Sequence, residues 1–272
     1  MTEAALDIHT NRDGIFLHSQ AGFEGMRVAG RLAAAILDEV GPLVVPGVTT
    51  AELDQFIQDR IEAAGAVSAT IGYKGYQHAS CISINHVVCH GIPGPKVLRD
   101  GDILNIDVTV IVDGWYGDNS RMYWAGRAPK KAQRLIQITH DALMEGIAAV
   151  KPGNTFGDIG HAIQRYAEAQ RCSVVRDFCG HGLGRQFHSA PNVLHYGKPG
   201  HGPKLEPGMF FTIEPMINLG RPETKILADE WTAVTKDRSL SAQYEHSIGV
   251  TEAGCEIFTL SPAGIYAPNF EH

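Results

Sequence analysis

Four carboxylates stand inside otherwise apolar runs of this 272-residue chain: Asp107 in Asn105-Ile106-Asp107-Val108, Asp118 in Tyr116-Gly117-Asp118, Glu214 in Thr212-Ile213-Glu214-Pro215 and Glu245 in Gln243-Tyr244-Glu245. Burying such a group without a partner is strongly unfavourable, so cations are expected beside them. Two histidines have matching surroundings, His90 in Cys89-His90-Gly91-Ile92 and His181 in Gly180-His181-Gly182-Leu183. Four carboxylates with one or two imidazoles, and no thiolate pattern, suit Mn²⁺, Fe²⁺, Co²⁺ or Zn²⁺. Because carboxylates bridge, four of them can hold two ions about 3.5–4 Å apart, the arrangement that activates a bridging water for hydrolysis.

Local geometry brings the first pair together. The run Leu104–Val112 meets the run Trp115–Trp124 at Asp113-Gly114, a two-residue hairpin signal that sets Val112 opposite Trp115 and Thr109 opposite Asp118. Side chains alternate along a strand, so Asp107, Thr109 and Asp118 share one face, with the two carboxylates diagonal neighbours. A single strand Asp is ordinarily a hydrogen-bonded structural group, and a single His ordinarily a surface or capping one. What lifts these above that reading is repetition.

Residues 37–63 align with 143–169 at ten identical positions, among them Pro46-Gly47 with Pro152-Gly153 and Thr49 with Thr155. Chance would give about one or two. Each copy reads as an amphipathic helix, a Pro-Gly turn and a Thr N-cap followed three residues later by Glu52 or Asp158. The first helices carry stripes Ala29, Leu32, Ala33, Ile36, Leu37, Val40 and Leu135, Ile138, Ala142, Ile147. The second helices carry Leu53, Phe56, Ile57, Ile61 and Ile159, Ile163, Tyr166. After each pair come strand-like runs, in the second half Met209–Asn218, Trp231–Thr235 and Tyr244–Thr251, preceded by a loop expected over 196–208. The same repeat sets Asp107 with Glu214, Asp118 with Glu245, and His90 with His181. The fold class that follows is α+β, with pseudo-two-fold halves at about 20–125 and 126–262 sharing an antiparallel sheet covered by helices on one face. Residues 1–14 read as a tail before a single catalytic domain over 15–272.

Composition narrows the function. A net charge of −7 offers no basic face, so nucleic acid is a poor expectation. The stretch Met1-Thr2-Glu3-Ala4-Ala5-Leu6-Asp7 leads into no apolar run, and the longest aliphatic run, Ala33–Leu37, is far too short for a bilayer. Five cysteines without a Cys-x-x-Cys pair argue against a disulfide framework or structural zinc, and for a reducing cytoplasm. Gly180-x-Gly182-x-Gly184 lacks dinucleotide-site spacing, and there is no Walker lysine, Gly-x-Ser-x-Gly or His-Glu-x-x-His.

Six segments in order carry a family resemblance: Ser83-Ile84-Asn85-His86-Val87-Val88-Cys89-His90-Gly91-Ile92-Pro93, Asn105-Ile106-Asp107-Val108, Gly117-Asp118-Asn119-Ser120, Cys179-Gly180-His181-Gly182-Leu183-Gly184-Arg185-Gln186-Phe187-His188, Thr212-Ile213-Glu214-Pro215-Met216 and Ser241-Ala242-Gln243-Tyr244-Glu245-His246. Together they resemble the type I methionine aminopeptidases of the pita-bread metallopeptidase fold, in their bacterial form, over about residues 15–262. The resemblance implies a curved antiparallel sheet with helices on its outer face. It also implies removal of initiator methionine from nascent chains near the ribosome, before a small second residue, by a cytoplasmic monomer. Two divalent ions are implied on Asp107, Asp118, His181, Glu214 and Glu245, with Asp118 and Glu245 bridging. Repeat equivalence alone would make His90 a further ligand, whereas the family places His90 and His188 on substrate, with Glu214 taking the proton of the attacking water. Tyr73, Tyr76, Cys81, Phe187 and Trp231 match positions lining the methionine pocket. His86, Thr70 and Gln77 depart from the glutamate, cysteine and proline frequent at their places.

Alternatives within the fold are an Xaa-Pro peptidase, which resembles a longer chain with a separate N-terminal domain, and a creatinase-like enzyme with no need of metal. From another class, pita-bread domains also serve as non-enzymatic peptide-binding modules. Such relatives tolerate loss of ligand residues, and here all five positions are filled.

Overall fold

A computed structural model describes residues 8–270, and no described helix is long and apolar enough to cross a membrane. Four helices form two consecutive pairs, α1 (Gln20–Val40) with α2 (Thr50–Ala63) and α3 (Lys130–Ala148) with α4 (Phe156–Ala169). Both second helices begin as read from the sequence. The Thr49 N–H donates to Glu52 Oε2 at 2.7 Å, and the Thr155 N–H to Asp158 Oδ2 at 2.7 Å, each a capping box that satisfies donors the first helical turn leaves free.

Each pair turns its apolar stripe onto strands. One core joins Leu37, Leu53 and Ile57 to Leu104, Ile106 and Val108. Another joins Leu135, Leu143, Ile159 and Ile163 to Phe211 and Ile213. Each fully buried aliphatic side chain contributes about 1.5–3 kcal/mol, so the helices are clamped to the sheet by the residues that alternate with the carboxylates along the same strands.

The shared sheet is built as separate antiparallel ladders. One contains the strands Val67–Ser68, Cys81–Ile84, Ile103–Val112 and Trp115–Trp124. Another orders Ser189–Val193, Gly180–Gly182, Phe210–Ile213, His246–Val250 and Cys255–Ile257. A bridge between Ser120 and Glu245 joins them across the middle. The long hairpin has Val112 opposite Trp115 and Thr109 opposite Asp118, the register that Asp113-Gly114 predicts.

Two sequence runs are interrupted. The run Met209–Asn218 divides into Phe210–Ile213 and Met216–Asn218, because Pro215 has no N–H to continue a ladder. The runs at 231–235 and 244–251 shorten to Ala233–Thr235 and His246–Val250. Of the tail expected over 1–14, residues 1–7 lie outside the described residues, while His9–Thr10 pair with Phe16–Leu17.

Helix α1 touches the long hairpin next to the site. A Cβ at Gly117 would lie 2.2 Å from the Ala29 carbonyl oxygen of α1, so only glycine allows this approach beside Asp118. Gly117→Ala is expected to lose about 1–3 kcal/mol in urea unfolding, through overpacking against backbone that cannot turn aside. An unchanged unfolding midpoint would show that α1 is not seated there.

Candidate active site

The strands deliver all five expected metal-binding side chains to one cavity. Asp107 faces inward opposite Ser120 on one side and Cys81 on the other. Two residues along, the Thr109 hydroxyl donates to Asp118 Oδ1 at 2.7 Å. The Glu245 N–H donates to the Ser120 carbonyl at 3.1 Å, which draws the second half's carboxylate onto the first half's hairpin. His181 enters from Gly180–Gly182, where its N–H donates to Thr212 Oγ1 at 3.0 Å, and that hydroxyl in turn donates to Glu214 Oε1 at 2.7 Å. The Gln243 amide donates to Glu214 Oε2 at 3.3 Å.

Ligand atoms of Asp118, His181 and Glu245 all lie within 4.8 Å of one another, and all three residues are buried. His181 Nε2 is 3.5 Å from Asp118 Oδ2 and 3.6 Å from Glu214 Oε1. These separations are too long for strong hydrogen bonds. Nδ1 of the same ring lies 3.1 Å from the Gly182 carbonyl, which only accepts, so Nδ1 carries a hydrogen and Nε2 is the atom aimed at the carboxylates. Asp107 Oδ1 is buried with no hydrogen-bond partner among the described residues. An orphaned carboxylate oxygen, an oriented imidazole and further carboxylates form a donor set that fits divalent cations.

Electrostatics point the same way. Burial raises the Asp107 carboxyl well above its usual range, and Asp118 and Glu214 raise it further. Burial, then Asp118, Glu214 and Asp107, do the same to Glu245. Glu214 is pushed up to about 7 by burial, against the opposing pull of His181 and Thr212. Burial opposes the charged form of His181, but its contacts with Asp118 and Glu214 outweigh that and hold it above its usual range. Without cations the cluster thus retains protons that cations would displace.

The cavity, of about 380 Å³, is walled by the expected Tyr73, Tyr76, Cys81, Phe187 and Trp231. Ring centroids are 4.9 Å apart for Tyr76 and Trp231, and 5.0 Å for Tyr73 and Phe187. Thr70 also lines it, with its hydroxyl donating to the His78 carbonyl, whereas Gln77 is exposed and neither it nor His86 lines the cavity. His90 does not take the place that the repeat would give a sixth ligand. Its ring stands edge-on to Phe178 at 5.5 Å and to Trp231 at 6.2 Å, and among the described residues it makes no ion pair with the four carboxylates. His188 sits at the exposed rim, its ring 4.2 Å from that of His181; desolvation against its ring neighbours, then His181, hold it down to about 4. Both histidines have left-handed backbones, φ 55° and 58°.

Sequence reasoning passed over Thr212, Gln243, Phe178 and His195. Thr212 was recoverable, because it precedes Glu214 by two residues on the same strand face, as Thr109 follows Asp107. Nothing local marks His195. A larger cavity of about 660 Å³ lies near α1, α3 and residues 260–269; the one carboxylate lining it, Asp38, is already paired with Arg121 at 2.6 Å.

Residues 24–252 match metallopeptidase family M24. The chain belongs to this family. Within family M24 it is 54% identical over 257 residues to a methionine aminopeptidase of Rickettsia prowazekii, covering 94% of this chain and 99% of that protein. It is also 54% identical over 248 residues to a methionine aminopeptidase of Escherichia coli K12, covering 90% and 94%. The crystal structure of the Rickettsia enzyme superposes with a TM-score of 0.90 at 55% identity, over 90% of this chain and all of that one. Prolidase from Pyrococcus furiosus shares the fold alone, at a TM-score of 0.69 and 19% identity over 90% of this chain and 65% of that one. The α+β pita-bread class read from the sequence is therefore that of the family.

The pKa directions fix a sign for metal-free protein. Carboxyls raised on folding favour the protonated form, so their stability contribution is present below the usual carboxylate range and is lost as pH rises, for Glu214 from about 4.5 to about 7. Chelated protein should therefore melt at progressively lower temperature between pH 5 and 8 relative to the same protein with Mn²⁺. Parallel melting curves across that range would show that the carboxylates are not crowded as described.

Proposed function

We propose that the chain is a metal-dependent aminopeptidase that removes N-terminal methionine from nascent proteins whose second residue is small. The reading extends to a cytoplasmic monomer acting near the ribosome, with two divalent ions drawn from manganese, iron, cobalt or zinc. One observation carries it: the buried Asp118, His181 and Glu245 cluster, flanked by Asp107 and Glu214, forms the floor of a pocket walled by aromatic rings and a thiol.

Asp107, Asp118, His181, Glu214 and Glu245 would hold the ions. What such ions supply when bound is Lewis acidity toward a carbonyl oxygen and a lowered pKa for water. The chain's own residues do the rest. Tyr73, Tyr76, Cys81, Phe187 and Trp231 enclose an unbranched thioether in soft, apolar surroundings and exclude water from it. Glu214 takes the proton of the water whose oxygen bonds to the scissile carbonyl carbon, and delivers that proton to the leaving amine as the C–N bond breaks. His188, neutral at working pH, donates its N–H toward the carbonyl oxygen as charge develops there. His90, lowered by burial and neutral as well, orients the peptide from the wall beside Phe178.

Hydrolysis of Met-Ala-Ser, measured with and without chelator, tests the reading. Activity should vanish on chelation and return with Mn²⁺ or Co²⁺, and full activity in metal-free protein would overturn it. Replacing Met by Leu at the first position should lower kcat/KM by about 1–3 kcal/mol in transition-state terms, and Met-Trp peptides should be cut far more slowly than Met-Ala. His188→Ala should lower kcat by about 10²–10³ with metal content unchanged. Loss of metal in that variant would instead make His188 a ligand.

A further inference from the structure

Glu214 has a backbone problem that its side chain does not reveal. The ladder with His246–Val250 ends at Ile213 opposite His246, and Pro215 follows Glu214, so the Glu214 N–H stands at a strand break without a ladder partner. It donates instead to Nε2 of His195 at 3.1 Å. His195 is fully buried, and because its Nε2 accepts this hydrogen bond its ring is the neutral form. A neutral ring whose Nε2 accepts carries its hydrogen on Nδ1, and that atom is buried with no partner among the described residues. Leaving a buried donor unpaired is unfavourable, so the ring's one productive polar contact is the one to Glu214.

The segment bearing His195 is held against α4 by two glycines. A Cβ at Gly160 would lie 2.4 Å from the Tyr196 carbonyl oxygen and 2.6 Å from that of Leu194. A Cβ at Gly157 would lie 2.4 Å from the Lys198 carbonyl oxygen and 2.6 Å from that of His201. Residues 194–201 therefore lie directly on the helix backbone, and His195 projects from them beneath Glu214.

We propose that His195 is a positioning residue, which fixes Glu214 by accepting its backbone N–H while Thr212 and Gln243 hold the carboxylate. Gly157 and Gly160 of α4 set the distance at which it does so. The proposal rests on the role given above to Glu214 as metal ligand and proton acceptor.

Three substitutions separate positioning from bulk. His195→Gln carries Oε1 to about the place of Nε2, His195→Asn reaches only to the place of Nδ1, and His195→Leu has no acceptor. Each variant is stripped of metal, titrated calorimetrically with Mn²⁺, assayed on Met-Ala-Ser for kcat and KM, and melted. In the Leu and Asn variants the Mn²⁺ Kd should rise about 10–100-fold, the usual effect of losing a group that orients a ligand. Their kcat should fall at least tenfold with KM within about threefold of wild type, and Gln should restore both. Gly160→Ala should shift Mn²⁺ affinity in the same direction as Leu. Wild-type Mn²⁺ affinity and kcat in the Leu variant, or a Gln variant no better than Asn, overturns the proposal, and the Gln-to-Asn comparison decides even if all three melt lower. Wild-type protein that neither binds Mn²⁺ nor cleaves the peptide fails the metallopeptidase reading itself, a different result.

Discussion

Like charge in a low-dielectric pocket is the constraint on which this structure turns. Asp107, Asp118, Glu214 and Glu245 are brought together where water cannot separate them, and each raised carboxyl among them is raised first by burial and then by its neighbours. The surrounding contacts answer that crowding without relieving it. Thr109 and Thr212 donate to one oxygen of Asp118 and Glu214, Gln243 to the other oxygen of Glu214, and Gly182 orients His181. The remaining oxygens face one another, and only cations complete the arrangement.

Much of this was legible in the sequence because it depends on short-range rules. The alternation that puts Asp107, Thr109 and Asp118 on one face follows from strand geometry once Asp113-Gly114 sets the register, and both capping boxes follow from residue types three positions apart. The resemblance named the pocket wall, which periodicity alone leaves undifferentiated from core. Less legible were contacts that close over long stretches of chain. His195 meets Glu214 across 19 residues, and Gln243 meets it across 29, through folds of the backbone that no local pattern encodes. The strand break at Pro215 could be anticipated from its missing N–H, but what would satisfy Glu214 there could not.

Symmetry proved a good guide to the backbone and an incomplete one to the chemistry. The two helix pairs are capped alike and buried alike. Their histidines are not. His181 is aimed by Gly182 at the carboxylates, while His90 is turned by its left-handed backbone toward Phe178 and Trp231. A duplicated scaffold thus supports one imidazole for the floor of the cavity and another for its wall.

The Ser120–Glu245 bridge is the seam along which this division of labour closes. Asp107 and Asp118 come from one side of it, and His181, Glu214 and Glu245 from the other. Any ion held by both sets acts as a rivet through that seam. Free energy of ion capture then becomes free energy of keeping the halves docked, in proportion to the logarithm of free metal concentration.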